Sequence, residues 1–238
     1  MNTVEEFKSY VASVEAKPGY QKPLAFGLGV KRSKGDKTLD AYFPLINWEV
    51  SFGTAAVFAD VADIKFGKNA EYVLDIEKLN DSYNKFSAFH GDISGHENII
   101  AIKNFLENYS NNHSYYKSEV VVYFLFDKAQ DVESATEGYF KLQALSQRCV
   151  EPHGTNLNGA FGKLTNVAWT NKGPVLPEDL SAEISKYIFT EPLQVTHIDK
   201  FPYMVNYHAP TGTRIVSGSQ VRLGAYLGEG TTVMPAGY

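Results

Sequence analysis

The last 24 residues, IVSGSQ VRLGAY LGEGTT VMPAGY, divide into four blocks of six. Ile215, Val221, Leu227 and Val233 open the blocks. Gly218, Gly224, Gly230 and Ala236 stand three places on, followed by Ser219, Ala225, Thr231 and Gly237. An α-helix cannot carry this ladder, because a glycine in every block costs about 1 kcal/mol each time. A flat strand repeats every two residues instead. A period of six fits a left-handed parallel β-helix, in which three short strands complete a triangular coil of about 18 residues. Aliphatic positions then stack inward and small residues turn the corners. An inward aliphatic side chain is worth roughly 1.5–3 kcal/mol when fully buried, and a solenoid needs about three stacked units and a cap. One coil and a third lacks those neighbours. The pattern therefore predicts a ladder that continues, in a chain cut short at its C-terminus.

The remaining composition narrows the classes. With 238 residues, 44% hydrophobic and 21% charged, the chain can build one large domain or two small ones. The net charge of −5 and the lack of a basic stripe exclude a nucleic-acid partner. Lys31, Arg32, Lys34 and Lys37 surround Gly35-Asp36 and read as a solvated hairpin tip. A lone Cys149 rules out an internal disulfide and suits a reducing compartment. The opening residues lack a signal peptide's basic and apolar regions. The longest apolar run, Val120 to Phe126, falls far short of the roughly 18–20 residues of a membrane span. A cytoplasmic protein with no membrane partner is expected.

Periodicity supplies the elements. Thr3 and Glu6 form a capping box before Val4, Phe7, Val11 and Val14 at helical spacing, ending near Ala16. Residues 24–30 and 38–46 read as strands; 52–63, 76–89 and 97–109 as helices, the last two separated by a Gly91–Gly95 breaker. Asn111-Asn112-His113 is a polar loop. EVVVYFLFD, residues 119–127, is a strand buried on both faces, and 131–146 a helix. From Cys149 to Pro177 no secondary structure is predicted; such long segments usually serve function. Helix returns at 178–189 and strand at 193–198. The organisation expected is an α/β (α+β) domain over 1–198, a connector over 199–214, and the first coil of the β-helix over 215–238.

Three stretches carry a family resemblance: QRCVEPHGTNLNGAFGKLTNVAWTN (Gln147–Asn171), VTHIDKFP (Val195–Pro202) and GTRIVSGSQVRLGAYLGEGTTVMPAGY (Gly212–Tyr238). Together they resemble the tetrahydrodipicolinate N-succinyltransferases of the longer subfamily, strongly from Tyr139 on and collinearly before it. The resemblance implies transfer of succinyl from succinyl-CoA to the amine of ring-opened tetrahydrodipicolinate (L-2-amino-6-oxopimelate), in lysine and diaminopimelate biosynthesis. It implies a homotrimer with active sites between neighbouring β-helices and succinyl-CoA as cosubstrate. No tightly bound cofactor is implied; a Mg2+ ion on the trimer axis of the full-length protein is left as an open alternative. The family's general base and CoA-binding coils fall beyond Tyr238, so no catalytic residue is assigned and the chain alone is expected to be inactive. A non-catalytic trimerisation or partner-binding module, or another hexapeptide-repeat acyltransferase, are the alternatives. A carbonic-anhydrase-like site would need histidines, and residues 215–238 hold none.

Candidate substrate-binding residues follow. Arg222 comes directly after an inward Val221, so it points outward, either to a substrate carboxylate or to an ion pair. Asn156 and Asn158, with Asn166, lie in the long loop, where they either brace turns or face the acyl-transfer cleft. Glu229 sits in a Gly-Glu-Gly corner, a poor place for a held base. Trp169 is expected to be buried. Cys149 and His153 lack an orienting third group for covalent catalysis, and the histidines lack metal-ligand spacing. Gly27-Leu28-Gly29 is too short for a phosphate loop and reads as strand.

Overall fold

Thr3 caps the first helix as expected. Its hydroxyl accepts from the Glu6 N–H at 3.1 Å, and α1 runs Val4–Glu15. The structure, a computed structural model, describes residues 1–91, 96–110 and 113–235. Most of the Gly91–Gly95 breaker, Asn111 and Asn112 of the polar loop, and Ala236 and Gly237 of the last hexad lie outside the described residues. The chain divides into two units. One comprises Met1–Val30, Phe43–Asn111 and Ser118–Gln130; the other comprises Lys31–Tyr42, Asn112–Lys117 and Asp131–Tyr238.

The first unit is built on a four-stranded sheet. β1 (Ala25–Lys34) and β2 (Lys37–Trp48) are joined by a two-residue turn in which Gly35 takes φ 59°, the geometry short hairpins demand. β3 (Ala70–Val73) and β4 (Lys117–Leu125) complete the order β2-β1-β4-β3. Val120 to Leu125 are all buried, as their unbroken apolar run predicts. Phe26, Phe58, Leu74, Leu79, Ile102 and Phe124 form the centre of the core. They are contributed by the sheet, the segment before α3, and the helices α2 (Phe52–Ala62), α3 (Ile76–Lys85) and α4 (Glu97–Glu107).

β3 has no counterpart in the sequence reading, because four residues show no usable period. A distant partner specifies it. The Asn69 Oδ1 accepts from the N–H groups of Phe126 and Asp127 at 2.7 and 2.9 Å, and its Nδ2 donates to the Asp127 carbonyl at 2.8 Å. α3 is also shorter than predicted: it ends at Lys85, and a 3₁₀ turn follows over Ser87–Phe89.

The second unit centres on α5 (Ala135–Ser146), which is buried on all sides from Thr136 to Ser146. It starts at 135 rather than 131. Ser134 accepts from the Glu137 N–H at 3.1 Å, and the Glu137 carboxylate accepts from the Glu133 N–H at 3.0 Å. Such reciprocal capping halts the helix there. The fully buried Lys141 ammonium lies 2.9 Å from Glu137.

The expectation of no regular structure over 149–177 is corrected. A short helix α6 (Ala160–Lys163) and strands β5 (Val167–Thr170) and β6 (Gly173–Val175) occur there. With β7 (Val195–Asp199) they make an antiparallel sheet in the order β6-β5-β7. Three- and four-residue strands are stabilised by pairing, which a local window cannot see. α7 spans only Leu180–Lys186, entered through a 3₁₀ turn at Pro177–Asp179.

The basic hairpin tip is not simply solvated, which is a second correction. Arg32 donates from Nε to the fully buried Asp40 at 2.7 Å and from Nη2 to its other oxygen. Lys34 lies 3.7 Å from Asp179, with its ammonium over the Tyr115 ring, and Lys37 bonds Glu178 at 2.8 Å. The partners of the two lysines come from residues 178–179, far along the chain, whereas Asp40 lies only eight residues from Arg32 in the same hairpin and its burial is what the tip's composition hides.

The hexads stack. β8 (Arg214–Ile215) pairs in parallel with β9 (Thr232–Val233), in the register Arg214↔Thr232 and Ile215↔Val233, eighteen residues or three hexads apart. Val221 and Leu223 are buried, while Ile215, Leu227 and Val233 are half-buried. The C-terminal end of α5 anchors the turn between them. The Ser146 hydroxyl accepts from the Gly224 N–H at 2.9 Å and donates to the Ala225 carbonyl at 3.1 Å. Arg148 donates to the Leu227 and Thr211 carbonyls at 2.6 and 3.0 Å.

Candidate functional site

Arg222 is held out from the ladder because its neighbours point in. Val221 and Leu223 are buried on either side, so alternation turns Arg222 outward, and its side chain is 61% exposed. Its backbone bridges Tyr203, with the Met204 N–H donating to the Val221 carbonyl and the Leu223 N–H to the Pro202 carbonyl, each at 2.9 Å. The guanidinium lies 4.4 Å over the Phe201 ring and donates to Asp199 Oδ2 at 3.2 Å. Asp199 closes β7 and the chain bends at Lys200 and Phe201, which brings the carboxylate and the ring to the same guanidinium. Their closeness inside the quoted DKFP stretch was the signal available in the sequence, and neither residue was singled out.

Asn156 and Asn158 sit together, apart from Arg222 in the pattern of contacts. Asn156 donates to Asp131 Oδ1 at 2.7 Å and accepts from the Asn158 N–H at 2.8 Å. The Asn158 carbonyl accepts from the Val132 N–H at 2.8 Å. These are turn-bracing bonds. They set the start of α6, whose Phe161 connects the two groups. Phe161 is 67% exposed, stacks on Phe201 with centroids 6.4 Å apart, and accepts at its carbonyl from Lys200 Nζ at 2.6 Å. The result is a surface strip of one carboxylate, two cations and two aromatic rings, suited to holding an anionic group beside an apolar chain.

Other sequence candidates fall outside this strip. Trp169 is buried, with its Nε1 donating to the Asp199 carbonyl at 2.9 Å, so it supports the strip from beneath. Glu229 is an exposed corner residue. Burial pushes the Cys149 thiol up to about 11, leaving almost no thiolate at neutral pH. His153 adopts a left-handed φ of 64°. Among the described residues no three His, Cys, Asp or Glu side chains gather as metal ligands. No helix of the described residues is long and apolar enough to cross a membrane.

The histidines of this unit make a testable electrostatic statement. His197 packs against Tyr203 at 3.7 Å, and Trp169 lies 6.1 Å from it. Burial lowers its pKa against the opposing pull of the Phe201 carbonyl. Burial, then the Arg148 charge, lowers His208; burial, then Arg32, lowers His113. A base depressed in the folded state binds fewer protons there than when unfolded. Stability is therefore complete above the unfolded value near 6.5 and falls as pH drops through the lower folded values. Thermal midpoints from pH 7.5 to 5 should decline, and His197→Gln should flatten the slope. A midpoint rising on acidification would refute this.

An α/β chain whose C-terminal segment forms a short parallel pair eighteen residues apart, with an aromatic-backed cation beside it, defines the class: an α/β protein with a hexad-patterned C-terminal segment. Family models narrow it. The model described as tetrahydrodipicolinate N-succinyltransferase N-terminal matches residues 5–162, and the one described as its middle part matches residues 164–203. The chain belongs to the tetrahydrodipicolinate N-succinyltransferase family. A 2,3,4,5-tetrahydropyridine-2,6-dicarboxylate N-succinyltransferase of Sulfurimonas denitrificans is 37% identical over 99% of this chain and 62% of its own length. One from a Sulfurovum species is 38% identical over 98% and 60%. A Campylobacter jejuni crystal structure, described as a 2,3,4,5-tetrahydropyridine-2-carboxylate N-succinyltransferase, aligns with a TM-score of 0.87 and 34% identity, covering 98% of this chain and 62% of that one. The chain thus spans about 62% of the length of such relatives.

Proposed function

We propose that this chain is the substrate-side part of an N-succinyltransferase that joins the succinyl group of succinyl-CoA to the amine of L-2-amino-6-oxopimelate. Residues 1–198 form the α/β part, 199–214 the connector, and 215–238 the first coil of a left-handed parallel β-helix in a homotrimer. The observation that carries this reading, given the family, is the eighteen-residue parallel register of Ile215 and Val233, which is the repeat of a three-sided coil.

In the reaction the amine attacks the thioester carbonyl, a C–N bond forms, the C–S bond breaks, and CoA leaves as the thiol. A carboxylate accepts the amine proton; we place that group outside residues 1–238. Arg222 grips a substrate carboxylate through the edge of its guanidinium turned away from Asp199, because a planar fork matches a carboxylate. Asp199 and Phe201 hold that fork in place. Asn156 and Asn158 act through the loop that sets Phe161 against Phe201.

The test is release of CoA thiol from succinyl-CoA and L-2-amino-6-oxopimelate by the encoded protein. Arg222→Met should raise KM for the amino acid about tenfold or more, while leaving KM for succinyl-CoA nearly unchanged. Absence of thiol release by the unaltered protein defeats the function. An equal rise in both KM values defeats the role of Arg222.

A further inference from the structure

A cleft of about 520 Å3 lies within the first unit, where none of the residues assigned to acyl transfer falls. Its walls come from the end of β2, the start of α2, Phe7 on α1, the 3₁₀ turn ending at Phe89, and the start of α4. Two carboxamides line it. Asn47 is 3% exposed and Asn98 is half-buried, and each Nδ2 donates to the other's Oδ1 at 2.9 Å. A primary amide has two N–H donors and two acceptor lone pairs. The reciprocal pair uses one of each per residue. Each edge of such a pair therefore carries an oxygen of one residue beside an N–H of the other.

That edge is complementary to a ligand with an adjacent donor and acceptor, as on the rim of a nucleobase, where an Asn amide reads adenine by the same two-point contact. The surroundings agree. Phe7 and Phe89 meet edge to face at 5.1 Å, and His96 lies 4.9 Å from Phe89, which gives the cleft π-faces for a flat ring. Among the described lining residues there is no Lys or Arg, and Glu97 carries the formal charge. A phosphate is disfavoured there. The volume lies within the range of small-molecule sites.

We infer that this cleft binds an uncharged, planar nitrogen heterocycle of purine-nucleoside size, seated on the Asn47–Asn98 pair. The inference is independent of the acyl-transfer reading. The 238-residue chain is titrated by calorimetry with adenosine and with AMP, and the His96 ring protons are followed by NMR. Adenosine should bind and shift His96. AMP should bind about tenfold more weakly, because its phosphate meets Glu97 and no cation, and the exposed Glu97→Lys variant should close that gap. Asn98→Leu, checked for native circular dichroism, should weaken adenosine about tenfold or more. No heat and no His96 shift at millimolar adenosine would overturn the inference. So would undiminished binding by the folded Asn98→Leu protein, or AMP binding as tightly as adenosine.

Discussion

Gly224→Ala is expected to destabilise the protein by about 2–4 kcal/mol, from one strained residue plus one overpacked contact. Gly224 has φ 97°, which an L side chain rarely adopts, and a Cβ there would lie 2.5 Å from Leu142 Cδ2. Leu142 is buried on α5 and has little room to yield. The same turn receives two hydrogen bonds from Ser146, so the backbone cannot swing away without breaking them. Urea unfolding followed by tryptophan fluorescence measures the loss. Adding Leu142→Ala removes the clash but not the strain, so the double variant should cost clearly less than the sum of the singles. Strict additivity would show that the close approach is not what makes glycine necessary. The loss should also loosen Arg222, two residues upstream, which links this packing contact to the proposed substrate grip.

The second large effect is expected at Asp40. This carboxylate is fully buried, accepts two bonds from Arg32, and accepts a third from the Tyr207 hydroxyl. Burial works against the charge of Arg32, yet the Asp40 carboxylate beside it holds the guanidinium pKa above its ordinary value. Asp40→Ala strands that cation against Tyr116, whose ring centroid lies 5.4 Å away. The expected cost is about 3–5 kcal/mol, typical of breaking a buried pair from one side. Arg32→Met with Asp40→Leu removes both charges and should cost less than Asp40→Ala alone. The comparison separates the worth of the pair from the penalty of an orphaned charge. A single-variant loss below about 1 kcal/mol would mean that the pair behaves as a solvated surface contact.

Much of the architecture is legible in local patterns, and particular elements show why. α1 carries its own cap and stripe, β4 its own apolar run, and the hexads their own period, so short-range chemistry is enough to place them. β3, β5 and β6 are too short to carry a period, and their partners lie far along the chain. The lysine ion pairs of the hairpin tip are invisible for the same reason. At the candidate site, Arg222 could be read as outward from its place in the ladder. Its seat on Phe201 and Asp199 could not, because that contact needs the chain to return antiparallel through 202–204.

Sequence alone determined the starts of α1 to α4, the central strand and the family, since caps, apolar runs and motifs are read from neighbouring residues. Tertiary structure alone decided which charges are buried, which amides pair, and why Gly224 must be glycine. Those depend on groups up to 167 residues apart, such as Tyr207 and Asp40, meeting where water has been excluded. No single segment records that encounter.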